Sequence, residues 1–145
     1  VPVVLSEGVI ILQFLRDFRR DGFVAVPVDR VIEVRRSAFE RTYADVCRSE
    51  GILERVGAGR GLDAAGLTEL FAELRRSRRY LLVTPEDGQP LLGQLRAAGE
   101  TSIRLRPFDA TGTFLPEVTL SLTEVLDVQW NSRYLRVWQR YLEKT

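Results

Sequence analysis

Glu117 to Val128 reads E-V-T-L-S-L-T-E-V-L-D-V, and Phe23 to Val34 reads F-V-A-V-P-V-D-R-V-I-E-V. Set side by side, Val26, Val28, Val31 and Val34 fall on Leu120, Leu122, Val125 and Val128. An aromatic-led turn precedes each block: Asp17-Phe18 through Asp21-Gly22 in the first, and Pro107-Phe108-Asp109-Ala110-Thr111-Gly112 in the second. Downstream, Phe39 and Tyr43 align with Tyr134 and Trp138 once one residue is inserted. The pattern predicts one architecture used twice, with the four apolar positions of each block buried along a common strand-turn-strand path.

Working outward, the first sixteen residues are rich in Val, Ile and Leu and are interrupted by Ser6-Glu7-Gly8, which predicts a hairpin of two strands. The Asp21-Gly22 step between apolar runs predicts a hairpin turn, since both residues tolerate positive φ. Pro27 lacks an amide hydrogen, so its strand lies at a sheet edge or turns that position away from a partner. Ser37-Ala38-Phe39-Glu40 is a capping box, and Phe39, Tyr43, Val46 and Cys47 recur at helical spacing until Gly51, predicting a helix over 38–50. Gly57, Gly59 and Gly61 read as a flexible connection, and Asp63 reads as the cap of a second helix with Leu67, Leu70, Phe71 and Leu74 on one face.

From Tyr80 the β signal returns. Tyr80 to Thr84, Leu91 to Ala97, Ser102 to Arg106, Val118 to Leu122 and Val125 to Trp130 are strand-like, with Pro85-Glu86-Asp87-Gly88 and Gly99 as breaks. Arg133 to Leu142 supports two readings. Tyr134, Val137, Trp138 and Tyr141 fit a helical face, while the Tyr, Val and Trp content favours a strand, the reading adopted here.

Leu92-Gly93-Gln94-Leu95, the alternating Ser102 to Arg106 strand, Phe108 to Gly112 and Leu122 to Val128 resemble the G-x-L, F-D-x-x-G and D-I-x-x-V landmarks of Sm-like and related SH3-type barrels. The stretch from Phe108 to Leu142 also resembles the C-terminal part of a family of small bacterial proteins. The resemblance covers residues 80–142 well and residues 1–50 loosely. It implies an α+β protein in which two small, bent antiparallel β units of Sm-like or SH3-like type flank a helical middle segment. The corresponding division is 1–50 for an N-terminal β unit with its helix, 51–79 for a glycine-rich linker and second helix, and 80–145 for a C-terminal barrel. Sm-like proteins commonly bind RNA and form rings, but the Asn of their first motif and the Arg-Gly or Lys-His signature of their second have no match in place, Asn131-Ser132-Arg133 being the nearest. No RNA-contact residue carries over.

Composition narrows the function classes. The 145 residues carry a net charge of +1, which gives no global field to draw nucleic acid or anionic membrane. There is no histidine, which removes the commonest general base and the commonest metal ligand together. One cysteine forms no internal disulfide and, with no span-length apolar run or export pattern, the expected setting is the bacterial cytoplasm. Cys47 reads as core packing, the glycines at 57, 59 and 61 as linker in place of a phosphate loop, and the carboxylates show no metal-ligand spacing. No catalytic residue, metal or cofactor is expected, and an enzyme is not the reading.

Two features remain. Arg75, Arg76, Arg78 and Arg79, followed by Tyr80, could hold phosphates with an aromatic ring beside them for stacking; equally, arginines at a helix C-terminus complement its dipole and cover the core edge with their stems. Tyr134, Trp138 and Tyr141, interleaved with Arg133, Arg136 and Arg140, could form an RNA-stacking surface or a core or protein interface. The sequence therefore predicts a non-enzymatic adaptor or assembly module that binds a protein partner or itself as an oligomer. RNA binding through Arg75 to Arg79 is the alternative.

Overall fold

Period-two apolar patterning organises most of the chain into strands. The computed structural model describes residues 1–58 and 63–144. It contains β1 (Pro2–Leu5), β2 (Val9–Arg16), β3 (Arg19–Pro27), a 3-10 turn (Val28–Arg30), α1 (Ala38–Ser49), a second 3-10 turn (Leu53–Arg55), α2 (Leu67–Arg76), β4 (Tyr80–Pro85), β5 (Leu91–Ala98), β6 (Ser102–Pro107), β7 (Val118–Ser121), a third 3-10 turn (Leu122–Glu124), β8 (Val125–Trp130) and α3 (Arg133–Leu142). The strands form a single antiparallel sheet in the order β1-β2-β3-β8-β4-β5-β6-β7.

That order revises the expected architecture. The fold is α+β, but the sheet is not closed into a barrel: β1 and β7 are its outer strands. The two β units are joined by β8, which pairs with β4 of its own half and with β3 of the other through Phe23 to Trp130, Val24 to Gln129 and Ala25 to Val128. Val9, Ile11, Phe23, Ala25, Leu81, Val83, Ile103, Leu105, Val125, Val128 and Trp130 bury one apolar layer, which Leu70, Phe71 and Leu74 of α2 cover. This burial is the main stabilising term of the fold.

Several local expectations are corrected. The hairpin between β2 and β3 turns at Asp17-Phe18, both in the left-handed region (φ 48 and 58), and Asp21-Gly22 lie within β3. Gly22 serves a different need there. At φ +79, a Cβ would stand 2.5 Å from the Ser132 amide nitrogen and 2.6 Å from the Trp130 carbonyl oxygen, so the residue lets β3 approach the end of β8. The register shift between Gln13 and Leu15 on the facing strand accommodates the one extra residue. Pro27 takes the second of its two expected placements: its strand is interior, and the residue lies beyond the register paired with β8.

The capping box forms as read: Phe39 N donates to the Ser37 hydroxyl, and Ser37 N donates to the Glu40 carboxylate. Cys47 on α1 is buried. The cap of α2 is Gly66, without a side-chain bond, and not Asp63. Gly59 and Gly61 lie outside the described residues. Arg133–Leu142 is a helix and not the expected strand: Asn131 (φ 58) ends β8, the Ser132 hydroxyl accepts from Leu135 N at 3.2 Å, and the amphipathic 3.6-residue period prevails over the β preference of Tyr, Val and Trp.

The common strand-turn-strand path expected of the two blocks is not found, and of its eight apolar positions only Val125 and Val128 are buried. In both blocks a strand runs into a 3-10 turn, β3 into Val28–Arg30 and β7 into Leu122–Glu124. The blocks then separate. Val125 and Val128 are buried in β8, whereas Val31 to Arg36 form no strand, Val28 is exposed and Val34 is 85% exposed. β8 has β3 and β4 on its two sides; no described strand lies beside 31–34.

Candidate functional site

The arginines read together in sequence leave the end of α2 in different directions. Arg75 Nε donates to the Arg96 carbonyl at 2.8 Å, which ties the helix to β5, and Arg76 pairs with Glu73 one turn back. Arg78 is exposed at φ 51, just past the helix. Arg79 turns inward, and its Nη1 is buried with no hydrogen-bond partner among the described residues. Tyr80 is 5% exposed and meets Phe108 edge-on at 6.0 Å; burial pushes its phenol pKa up. The five residues do not form one surface, and Tyr80 has no open ring face on which a base could stack.

The second candidate set is also divided. Trp138 packs half-buried on Phe108 at 5.1 Å, with Tyr134 at 6.5 Å and Tyr141 at 5.9 Å meeting it edge-on. Tyr134, Val137 and Tyr141 are exposed. Trp138 therefore docks the helix, while the two tyrosines flank it. Its socket is the Phe108 to Gly112 turn, where Asp109 Oδ1 accepts from Thr111 N (2.8 Å), Thr113 N (3.0 Å) and the Thr111 hydroxyl (2.6 Å). These donors hold the Asp109 carboxyl below its usual range. The motif glycine of the G-x-L landmark has a similar structural reason: a Cβ on Gly93 would lie 2.5 Å from the Arg106 carbonyl oxygen on β6.

The aromatic pattern of the repeat recurs in three dimensions. Phe18, at the tip of the first turn, stacks on Tyr43 of α1 at 4.7 Å and 13°, as Phe108 packs on Trp138 of α3. Phe39 stands 6.0 Å from Tyr43, as Tyr134 stands 6.5 Å from Trp138. The Tyr43 hydroxyl adds a bond by accepting from Phe18 N at 3.0 Å.

The surface that sequence reasoning missed is the chain between those elements. After the 3-10 turn Val28–Arg30, the backbone groups of Ile32, Glu33, Val34 and Arg35 bond no other described residue, Ile32 is fully exposed and Phe39 is 72% exposed. Arg35 Nε contacts Glu33 Oε1 at 2.7 Å. Burial had been expected from the repeat, and only the missing neighbours distinguish this segment from β8. No sequence signal marks such an absence.

Among the described residues, no group of three or more Cys, Asp or Glu side chains is placed to hold a metal ion, and no helix is long and apolar enough to cross a membrane. No protein-family model, curated protein or solved structure matches the chain.

Proposed function

We propose that this protein is a non-enzymatic assembly module that pairs with a second copy of itself through residues 31–36. The observation that carries the reading is the segment's unpaired backbone together with its exposed Ile32 and Val34. An extended apolar segment with free amides and carbonyls recruits another strand. A second copy is the occupant favoured by charge: in an antiparallel pair centred on Val34, Glu33 of each chain faces Arg35 of the other, and both copies turn Ile32 and Val34 to one face. The Glu33–Arg35 contact within each chain would then be exchanged for one between chains, two for two across the pair.

The repeat supports the same reading, because Val125-Leu126-Asp127-Val128 has the matching pattern and pairs with β4 through Val125, Asp127 and Val128. We further propose that β4 to β8 is an SH3-like unit, supported by its five strands, the 3-10 turn before β8 and the return of β8 to β4. RNA binding through Arg75 to Arg79 has less support, because the arginines diverge and Tyr80 is covered.

Light scattering across a concentration series tests the proposal. A dimer is expected that Val34→Pro and Glu33→Arg each weaken, and that the paired reversal Glu33→Arg with Arg35→Glu restores. A chain that is monomeric at every concentration, or a dimer indifferent to these changes, would overturn it.

A further inference from the structure

Arginines that are scattered in sequence converge at the junction of the two halves. A cleft of about 520 Å³ is lined by Arg19 and Arg20 from the start of β3, Arg55 from the second 3-10 turn and Arg136 from the first turns of α3, with Phe18 forming part of its wall. A smaller recess of about 280 Å³ shares Asn131 and Arg136 with it and adds Arg79. Among the described residues, no Asp or Glu lines either space.

These five guanidinium groups stand apart from most of the charged surface. Among the described residues, the ion pairs engage Arg16, Arg30, Arg35, Arg48, Arg76, Arg96 and Arg104, and none engages Arg19, Arg20, Arg55, Arg79 or Arg136. Arg20 is held by the carbonyls of Arg55 (2.7 Å) and Ala58 (3.3 Å), and Arg136 by that of Asn131 (2.7 Å), so both are positioned without being neutralised. The nearby carboxylate of Asp21 accepts from Arg133 N at 2.6 Å and contacts Arg16 at 3.6 Å. It lines neither space. Arg79 contributes a buried Nη1 that has no acceptor among the described residues. An unpartnered buried guanidinium hydrogen is costly until an acceptor arrives.

We infer that this cleft binds the phosphate groups of a nucleotide. A carboxylate is saturated by one bidentate arginine, whereas a phosphate or polyphosphate presents enough oxygens to engage several guanidinium groups approaching from different elements. The larger cleft has the size of a small-ligand pocket. Phe18 is partly exposed although it stacks on Tyr43, and it supplies an aromatic wall beside the arginines.

The same phosphate chemistry is available from a free nucleotide or from a nucleotide within an RNA strand, and calorimetry with the full chain at low and at physiological salt separates them. The probes are inorganic pyrophosphate, ATP and a 5′-phosphorylated hexauridylate. Binding of ATP and pyrophosphate identifies a free-nucleotide site; binding of the hexauridylate alone identifies a strand as the source. Either should weaken with salt and lose about tenfold in affinity for each of Arg19→Gln and Arg55→Gln. Neither side chain anchors a described element, and unchanged circular dichroism serves as the folding check. Arg76→Gln with Arg78→Gln removes twice the charge of either single change, outside the cleft, and should change affinity less than twofold. Absence of binding by all three probes at low salt, or an equal loss in the Arg76 and Arg78 variant, would overturn the inference.

Discussion

Val31 to Val34 and Val125 to Val128 share an apolar pattern and a preceding 3-10 turn, yet Ile32 and Val34 are exposed on an unpaired segment while Val125 and Val128 are buried in β8, the strand that joins the two sides of the sheet. What separates them is neighbours. Val125 to Val128 pairs with β4 and, at Val128, with β3 as well, whereas the first segment pairs with no strand among the described residues. Similar patterns thus acquire opposite placements, one in the core and one in exposed chain.

The largest expected effect tests this contrast directly. Val128→Asp sets a carboxyl in the buried layer and should remove about 2–7 kcal/mol of stability, a large share of the roughly 5–15 kcal/mol that holds a typical domain folded. Val34→Asp, at the matching position, should stay within about 0.5 kcal/mol when measured below the concentration at which copies associate. Urea denaturation of both variants checks the pair. Equal losses would mean that Val31 to Val34 is as much a part of the core as β8.

A smaller effect concerns how each helix is fastened to its turn. Trp138 is anchored by packing, whereas Tyr43 adds a hydrogen bond to Phe18 N. Tyr43→Phe keeps the stacked ring and removes that bond. Stability should fall by about 1 kcal/mol, and hydrogen exchange at the Phe18 amide should accelerate several-fold. Unchanged exchange would show that stacking alone holds α1.

The smallest effect is electrostatic and touches both blocks. Arg30 holds Glu86 below its usual carboxylate range by hydrogen bonding and charge, and also reaches the Thr123 carbonyl, linking the first 3-10 turn to the third; Asp109 is lowered by the Thr111 hydroxyl and nearby amides. A carboxyl whose folded pKa is depressed stabilises the fold above its unfolded value, and that contribution is lost as pH falls through the folded value. Stability should therefore be flat near neutrality and decline below the ordinary carboxylate range. Glu86→Gln and Asp109→Asn should each remove part of that acid slope, a modest part because both groups are exposed.

Much of the local structure was legible in sequence. The Ser37 capping box, the strands after Tyr80 and the apolar face of α2 are written in neighbouring residues, and local rules reach that far. The β3–β8 splice was not, because pairing between distant segments leaves no local pattern. The helix at Arg133–Leu142 was obscured by a conflict between its period and its strand-favouring composition. The candidate sites were least legible: the arginines adjacent in sequence point apart, while Arg19, Arg55, Arg79 and Arg136 come from different elements and meet only in the folded chain.

The β3–β8 splice also sets an order of events during synthesis. Its partners Phe23 and Trp130 stand roughly a hundred positions apart, so the contact closes a long loop and depends on a strand made near the end of the chain. On a ribosome, the first hairpin emerges well before β8 exists, and its open side waits through the translation of everything between. A stall before Val125 would leave that side uncovered and available to the nascent chain of a neighbouring ribosome. The junction that unites the two halves is therefore also the last part of the sheet that translation can complete.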